Sequence, residues 1–438
     1  MTDVLSGGPW PAERGGPIAR VLIVGGDDVH KRIDLMKALS NRFRLAAAGS
    51  DIRRAEGFVD EGFPFFYYPM DRGANPINDA RSYFFLAKMI RRLQPDLVHA
   101  FATKPAVWGR LAARRAGAPV VIGTITGLGS LYSSQDLRTR FVRSLYEPLQ
   151  RRACHKSDLT IFQNERDLAQ FIDTGVAPEQ RSAIISGSGV RTEVMDPSKA
   201  SESAVRAFRA EVGAKEGDVV VTMMTRLIRS KGVLEFARAA QLLRESRPNV
   251  RFALVGPDDQ SSLDRLSSRE LEEVTESVRW LGERSEVRPI YAGSDVFVLP
   301  SLYREGVPRV LLEAASMGLP LVTTRNPGCE AVVDEGRNGY LVEVGDSEAL
   351  AQKIGVLVSH PTLRKRYARE SREIAVRRFD LRVVVEATAT HYQQLLAAAG
   401  RPFEYASDEG LRVRRQPDAP NNFGGKTDTG TTRPTRSG

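Results

Sequence analysis

The sequence predicts an α/β protein of two doubly wound parallel sheets facing one another across a cleft. Three observations carry this. Apolar, strand-like runs alternate with helical segments along most of the chain, the pattern of parallel β-α-β units. The alternation runs through 19–190, pauses in a linker at 191–215, and starts afresh over 216–399. A chain of 438 residues also exceeds what one core normally serves.

In the first series, Arg20-Val-Leu-Ile-Val-Gly25 is a strand that ends in Gly25-Gly26, where the backbone can approach a ligand closely. A helix over 29–40, strands over 43–49 and 64–69, and a helix over 77–93 follow. Asp96-Leu-Val-His-Ala-Phe101 is a strand, and Gly117 closes the next helix, 107–116. A strand at 119–124 leads into Ile125-Thr-Gly-Leu-Gly129. A long helix over 137–156 carries an apolar stripe of Phe141, Leu145, Leu149 and Cys154 beside many arginines. Strands at 159–163 and 182–186 flank a helix opened by Asn164-Glu-Arg-Asp167. In sheets of this kind ligands sit beyond the carboxyl ends of the strands. His99, Lys104, Gly127 and Gly129 are placed there, although a lone His at a strand end is more often a satisfied core residue.

The second series has strands at 218–224, 251–256, 278–282 and 295–300, with a helix over 233–244. Gly336-Arg-Asn-Gly-Tyr-Leu-Val342 turns into a short strand, and helices follow over 347–358, 362–378 and 381–399. The last helix is expected to pack back toward the first domain. The Gly/Pro-rich stretch 1–18 and the polar tail 405–438 read as disordered.

The net charge is +9, of which 19–190 carries +8 (25 Lys/Arg against 17 Asp/Glu). A basic first half suits an anionic partner, and equally an Arg-rich surface. Two distant cysteines, Cys154 and Cys329, argue against a disulfide framework and against a zinc site. The first ten residues show no leader pattern and no run of about eighteen apolar residues exists, so a cytoplasmic location is expected.

The most informative stretch is Ser301-Leu-Tyr-Arg-Glu-Gly-Val-Pro-Arg-Val-Leu-Leu-Glu-Ala-Ala-Ser-Met-Gly318. It reads as strand, loop and helix, with Pro308 at the first helical position. Glu305 lies in the loop, and Glu313 lies in an otherwise apolar helix. A buried carboxylate needs partners, and a ligand with vicinal hydroxyls would supply them. The helix N-terminus beside Glu305 suits a phosphate. Sugar hydroxyls, ribose hydroxyls and a diphosphate together describe a nucleotide sugar. Arg226 and Lys231 follow a strand and open a helix, where cations oppose the helix dipole. That misfit suits a diphosphate leaving group, whose growing charge fixed cations stabilise. The loop Leu281-Gly-Glu-Arg284 is placed toward the base.

Glu305-Gly-Val-Pro-Arg-Val-Leu-Leu-Glu313-Ala resembles the Glu-x7-Glu signature of retaining glycosyltransferases of the GT-B fold, family four. Its Gly-x-Pro-Arg-Val-Leu-Leu-Glu-Ala form is similar to bacterial members that extend lipid-linked oligosaccharides. The resemblance runs from about Ala19 to about Leu396 and implies two Rossmann-like domains. It implies that Arg226 and Lys231 clamp the donor diphosphate, that Glu305 with Gly306 and Val307 holds the donor sugar, and that Glu313 holds the ribose. It implies an acceptor side formed by Gly25, Gly26, His99, Lys104, Gly127 and Gly129. The expected reaction moves a hexose or N-acetylhexosamine from a UDP donor to a polyprenyl-diphosphate-linked glycan, with retention, without a metal or other cofactor. The enzyme is then expected to lie peripherally on the anionic inner face of the membrane, with no nucleic-acid partner.

A glycoside hydrolase needs two carboxyls flanking the scissile bond, whereas Glu313 sits on an apolar helix. A nucleotide-sugar 2-epimerase shares the fold but not the Arg226, Lys231, Glu305 and Glu313 combination. A non-catalytic nucleotide-binding paralogue would not need all four.

Overall fold

The computed structural model describes residues 10, 18–71, 75–129, 132, 137–260, 262 and 264–401. The tail 405–438 and most of 1–18 lie outside the described residues. Trp10 and Ile18 are the exceptions within 1–18; the Trp10 indole N–H donates to the Leu93 carbonyl at 2.9 Å.

Two parallel sheets form the frame. The first holds β1 (Arg20–Val24), β2 (Arg44–Gly49), β3 (Phe65–Tyr67), β4 (Leu97–Phe101), β5 (Val120–Ile125), β6 (Leu159–Phe162) and β7 (Ser182–Ile184). Their order is β3-β2-β1-β4-β5-β6-β7. The second holds β8 (Val219–Met224), β9 (Val250–Val255), β10 (Arg279–Trp280), β11 (Val296–Leu299), β12 (Leu321–Thr324) and β13 (Gly339–Val342), in the order β10-β9-β8-β11-β12-β13. The direction of winding reverses at β1 in one sheet and at β8 in the other, and a crevice opens at such a point. The central strands are buried on both faces, which explains their unbroken apolar runs.

The last helix, Leu381–Ala398, crosses back. Val384, Val385, Ala389, Tyr392 and Leu396 pack in one cluster with Val21, Ile23 and Leu97 of the first sheet. A π-helical turn, Ala375–Phe379, redirects the chain, and Asp380 caps the new helix by accepting from the Arg382 backbone N–H at 2.8 Å. The crossing segments are stitched by Val190 N–H to Phe379 O and Leu381 N–H to Val190 O, both 2.9 Å.

Three expectations change. The 29–40 segment is a 3-10 turn, Val29–Arg32, followed by an α-helix, Ile33–Leu39. Helices Ala55–Val59, Ser268–Ser277 and Arg288–Ala292 occupy connections to which the sequence pattern assigns no element. The helix Leu137–Lys156 does not bury its apolar stripe: Leu137, Phe141 and Leu145 are 81 %, 65 % and 61 % exposed, while Cys154 is buried. The reason is that the face beneath the helix belongs to Ala153 and Cys154, near its end.

Candidate active site

The second sheet delivers two cations to one end of the cleft. After β8 the chain turns through Arg226 and a 3-10 turn, Arg229–Lys231, before the helix Val233–Arg244. Arg226 is half-exposed and pairs with Asp259 at 2.7 Å. Lys231 is buried, and its Nζ lies 2.5 Å from Glu305 Oε1. Ser301 donates to the same oxygen at 2.9 Å, and Tyr303 donates to Glu305 Oε2 at 3.1 Å. The ammonium also lies 4.9 Å from the Tyr303 ring centroid. Burial by itself would lower the Lys231 pKa, but Glu305 and Tyr303 more than offset it and hold the ammonium above its ordinary range. Lys231 is therefore a permanent charge. Burial and Glu305 raise the Tyr303 phenol, so it remains a donor.

Glu305 is held in place by glycines. Gly127 adopts φ +119°, and a Cβ there would come within 2.2 Å of the Gly306 nitrogen. A Cβ on Gly306 would meet Thr126 O at 2.0 Å, and one on Gly328 would meet Gly306 O at 1.1 Å. Three backbones thus stack where only glycine fits. Further bonds join the two domains around this stack. Val307 N–H donates to Gln163 Oε1 at 3.2 Å, Gly129 N–H donates to Arg304 O at 3.0 Å, and Arg304 pairs with buried Asp167 at 2.7 Å. Gly127 and Gly129 therefore meet the 304–307 loop directly, in addition to any part they play toward an acceptor.

The helix bearing Glu313 runs Arg309–Ser316, with Pro308 as its cap residue rather than its first helical one. Pro308 has ψ 123°, an extended value, so the helical turn begins one residue later. Glu313 is not left to a ligand alone: it accepts from Arg309 Nε at 2.9 Å and from Tyr291 Oη at 3.0 Å. Arg309 also reaches Asp34 of the first domain at 3.4 Å. Leu281 lies at the carboxyl end of its strand, its N–H donating to Leu254 O at 2.9 Å. Arg284 turns to Glu211, which engages its guanidinium.

On the first sheet the proposed acceptor residues divide. His99 is a core residue: Nδ1 lies 2.6 Å from Tyr392 Oη and Nε2 lies 2.6 Å from Thr124 Oγ1, and the ring stacks on Phe101. Burial holds its pKa well below 6.5, so it is neutral. Lys104 pairs with Asp79 at 2.5 Å. Gly25 and Gly26 follow β1, and Gly25 O accepts from Tyr68 Oη at 2.7 Å. Two residues not foreseen, Lys31 and Arg32, stand in the turn after β1. Burial lowers the Lys31 pKa, Asp28 opposes this, and Arg32, Arg226 and Lys231 lower it further. The signal was available, since two cations in the first turn of a helix oppose its dipole. Among the described residues no cluster of three or more His, Cys, Asp or Glu is arranged to hold a metal ion.

The description "Glycosyl transferase 4-like domain" matches residues 33–187, and "Glycosyl transferases group 1" matches 218–360. The second match contains Arg226, Lys231, Glu305 and Glu313. The chain belongs to the group 1 glycosyltransferases. Relatives of this glycosyltransferase include the N,N'-diacetylbacillosaminyl-diphospho-undecaprenol alpha-1,3-N-acetylgalactosaminyltransferase of Campylobacter jejuni. That protein is 26 % identical over 378 residues, covering 85 % of this chain and 97 % of the relative. The Escherichia coli UDP-Gal:alpha-D-GlcNAc-diphosphoundecaprenol alpha-1,3-galactosyltransferase is 28 % identical, covering 67 % of this chain and 74 % of the relative. Among solved structures, Anabaena HepE in complex with UDP and glucose superposes with TM-score 0.69 at 20 % identity, covering 85 % of this chain and 99 % of that one. The fold is GT-B.

Proposed function

We propose that this glycosyltransferase moves a hexose or N-acetylhexosamine, with retention and without a metal, from a UDP donor to a polyprenyl-diphosphate-linked glycan. The observation that carries the donor half is the buried Lys231–Glu305 pair beside Arg226 at the carboxyl end of β8. As the bond from the anomeric carbon to phosphate breaks, its electron pair leaves with the nucleoside diphosphate. Lys231 and Arg226 stabilise that charge more in the transition state than in the ground state. Glu305 and Glu313, each an acceptor of several hydrogen bonds, are suited to donor-sugar and ribose hydroxyls. The acceptor oxygen bonds to the anomeric carbon on the face the phosphate leaves, and its proton passes to the departing phosphate oxygen. No protein nucleophile is used.

The acceptor half draws on the two relatives, whose names specify undecaprenyl-diphosphate-linked substrates. It also draws on the helix Leu137–Lys156, which presents Leu137, Phe141 and Leu145 at four-residue spacing to solvent next to Arg140, Arg143 and Arg152. No helix among the described residues is long and apolar enough to cross a membrane. We place the enzyme peripherally on the inner leaflet through this helix.

The test is a panel of UDP-, GDP- and ADP-sugars with a synthetic polyprenyl-diphosphate-linked N-acetylhexosamine acceptor, followed by NMR of the product's anomeric centre. UDP-sugar consumption, retained configuration and undiminished turnover in excess EDTA are expected. Inversion, or loss of activity restored by Mn²⁺ or Mg²⁺, would overturn the reading.

A further inference from the structure

Arg32 is a buried cation that makes no direct ion pair among the described residues, Asp28 acting on it only at longer range. Its residue is 6 % exposed, and its guanidinium lies 4.7 Å from the Phe101 ring centroid. Its Nε has no hydrogen-bond partner, and no ion pair reaches it among the described residues. Such an arrangement is costly unless something else supplies the negative charge. A crevice opens beside it, bounded by Phe101, Thr124, Gln163, Ser188 and Thr388, with Lys31 exposed at the rim. Its space is about 20 Å³, room for about one water-sized group. Neighbouring polar groups are already engaged. Thr124 Oγ1 contacts His99, Gln163 Oε1 accepts from Val307 N–H, and Thr388 Oγ1 donates to Val384 O. The guanidinium, buried among these groups, keeps donor capacity to spare.

We infer that Arg32, with Lys31 at the rim, forms an oxyanion site on the first-domain wall of the cleft that takes one phosphoryl oxygen of a diphosphate-bearing acceptor. The crevice admits a single oxygen, so the phosphorus and its remaining oxygens sit at the mouth, near Lys31. A neutral sugar hydroxyl would leave the buried charge uncompensated. The donor diphosphate already has Arg226 and Lys231 on the facing wall. The identification of the phosphate's source rests on the acceptor proposed above; the site itself does not.

Titration calorimetry on the full chain, saturated with UDP, tests this with inorganic pyrophosphate, farnesyl diphosphate and farnesol as probes. Arg32→Gln is expected to weaken both phosphate probes by about tenfold or more, the loss typical of a charged hydrogen bond. It should leave farnesol unchanged and UDP affinity within about twofold, since the donor diphosphate has Arg226 and Lys231 as its own cations. Arg32→Lys keeps the charge and is expected to fall between wild type and Gln. Phosphate probes that bind both variants as they bind wild type would overturn the site. So would wild-type protein that binds neither phosphate probe, or a UDP affinity that falls in step, which would put the anion in the donor site. Arg32-dependent pyrophosphate binding, with farnesyl diphosphate no better than farnesol, would uphold the oxyanion site while removing the polyprenyl reading.

Discussion

The turns after β1 and β8 occupy the same place in two similar sheets, and both carry cations, Lys31 and Arg32 in the first and Arg226, Arg229 and Lys231 in the second. Their partners differ. In the second domain Arg226 pairs with Asp259 and Lys231 with Glu305. In the first domain, Lys31 and Arg32 make no ion pair among the described residues. The paired cations are positioned in advance, so little reorganisation accompanies charge development on a leaving group. Lys31 and Arg32, acted on by Asp28 only at longer range, keep attraction to offer an anion that arrives and departs. One topology thus provides a fixed electrostatic frame on one wall and an open anion site on the other.

The sharpest way to break this comparison is to remove the paired cations. Lys231→Ala and Arg226→Ala are each expected to cut turnover by about a hundredfold or more. They should differ in stability. Lys231→Ala leaves Glu305 buried without its cation, a loss of about 3–5 kcal/mol for a broken buried pair. Arg226 is half-exposed, so its removal should leave the melting temperature nearly unchanged. Steady-state kinetics and thermal melts decide it. Wild-type turnover in either variant would remove the diphosphate assignment, and matching melts would mean the two pairs are not distinct.

Gly127→Ala is expected to come next. The left-handed backbone and the approach to Gly306 leave no room for a methyl group, so the 304–307 loop must shift. Displacement by about 1 Å costs up to about a hundredfold in rate. UDP affinity measured by calorimetry should fall much less than turnover; parallel losses would place the glycine in nucleotide binding.

The proposed membrane attachment separates the domains at a smaller energy. Each Lys or Arg near an anionic surface contributes about 1 kcal/mol and is screened by salt. Flotation with vesicles containing anionic lipid should show salt-sensitive binding. It should be weakened by Arg140→Glu with Arg143→Glu, and weakened separately by Phe141→Asp. Binding that ignores lipid charge, or survives Phe141→Asp, would return this helix to ordinary solvated surface. The arginines expected to act together also include Arg138, Arg151 and Arg152.

The smallest effect concerns His99. The folded protein holds it neutral, with a pKa well below 6.5. The unfolded chain takes up a proton near 6.5, so acidification favours unfolding. Stability should fall as pH drops below about 6.5, by up to about 1.4 kcal/mol per pH unit. His99→Gln should flatten that part of the profile in melts between pH 7 and 5. An unchanged slope would show that another group carries it.

The sequence by itself determined the α/β alternation and its restart, because buried parallel strands require apolar runs of a recognisable length. It also determined the Glu305–Glu313 spacing and the Arg226–Lys231 pair, because cations at a helix start and a carboxylate on an apolar helix violate local preference. What the tertiary structure decided was which neighbour meets each side chain. Periodicity marked Phe141 and Leu145 as one face of a helix, but it could not say that nothing covers that face. Position at a strand end marked His99, but Tyr392, nearly three hundred residues later, makes it a core residue. One partner of Glu313, Tyr291, comes from another element. Nothing local marks Arg32 as buried; the sheet ends and the last helix enclose it. Burial and pairing depend on contacts between distant segments, and local pattern carries no record of them.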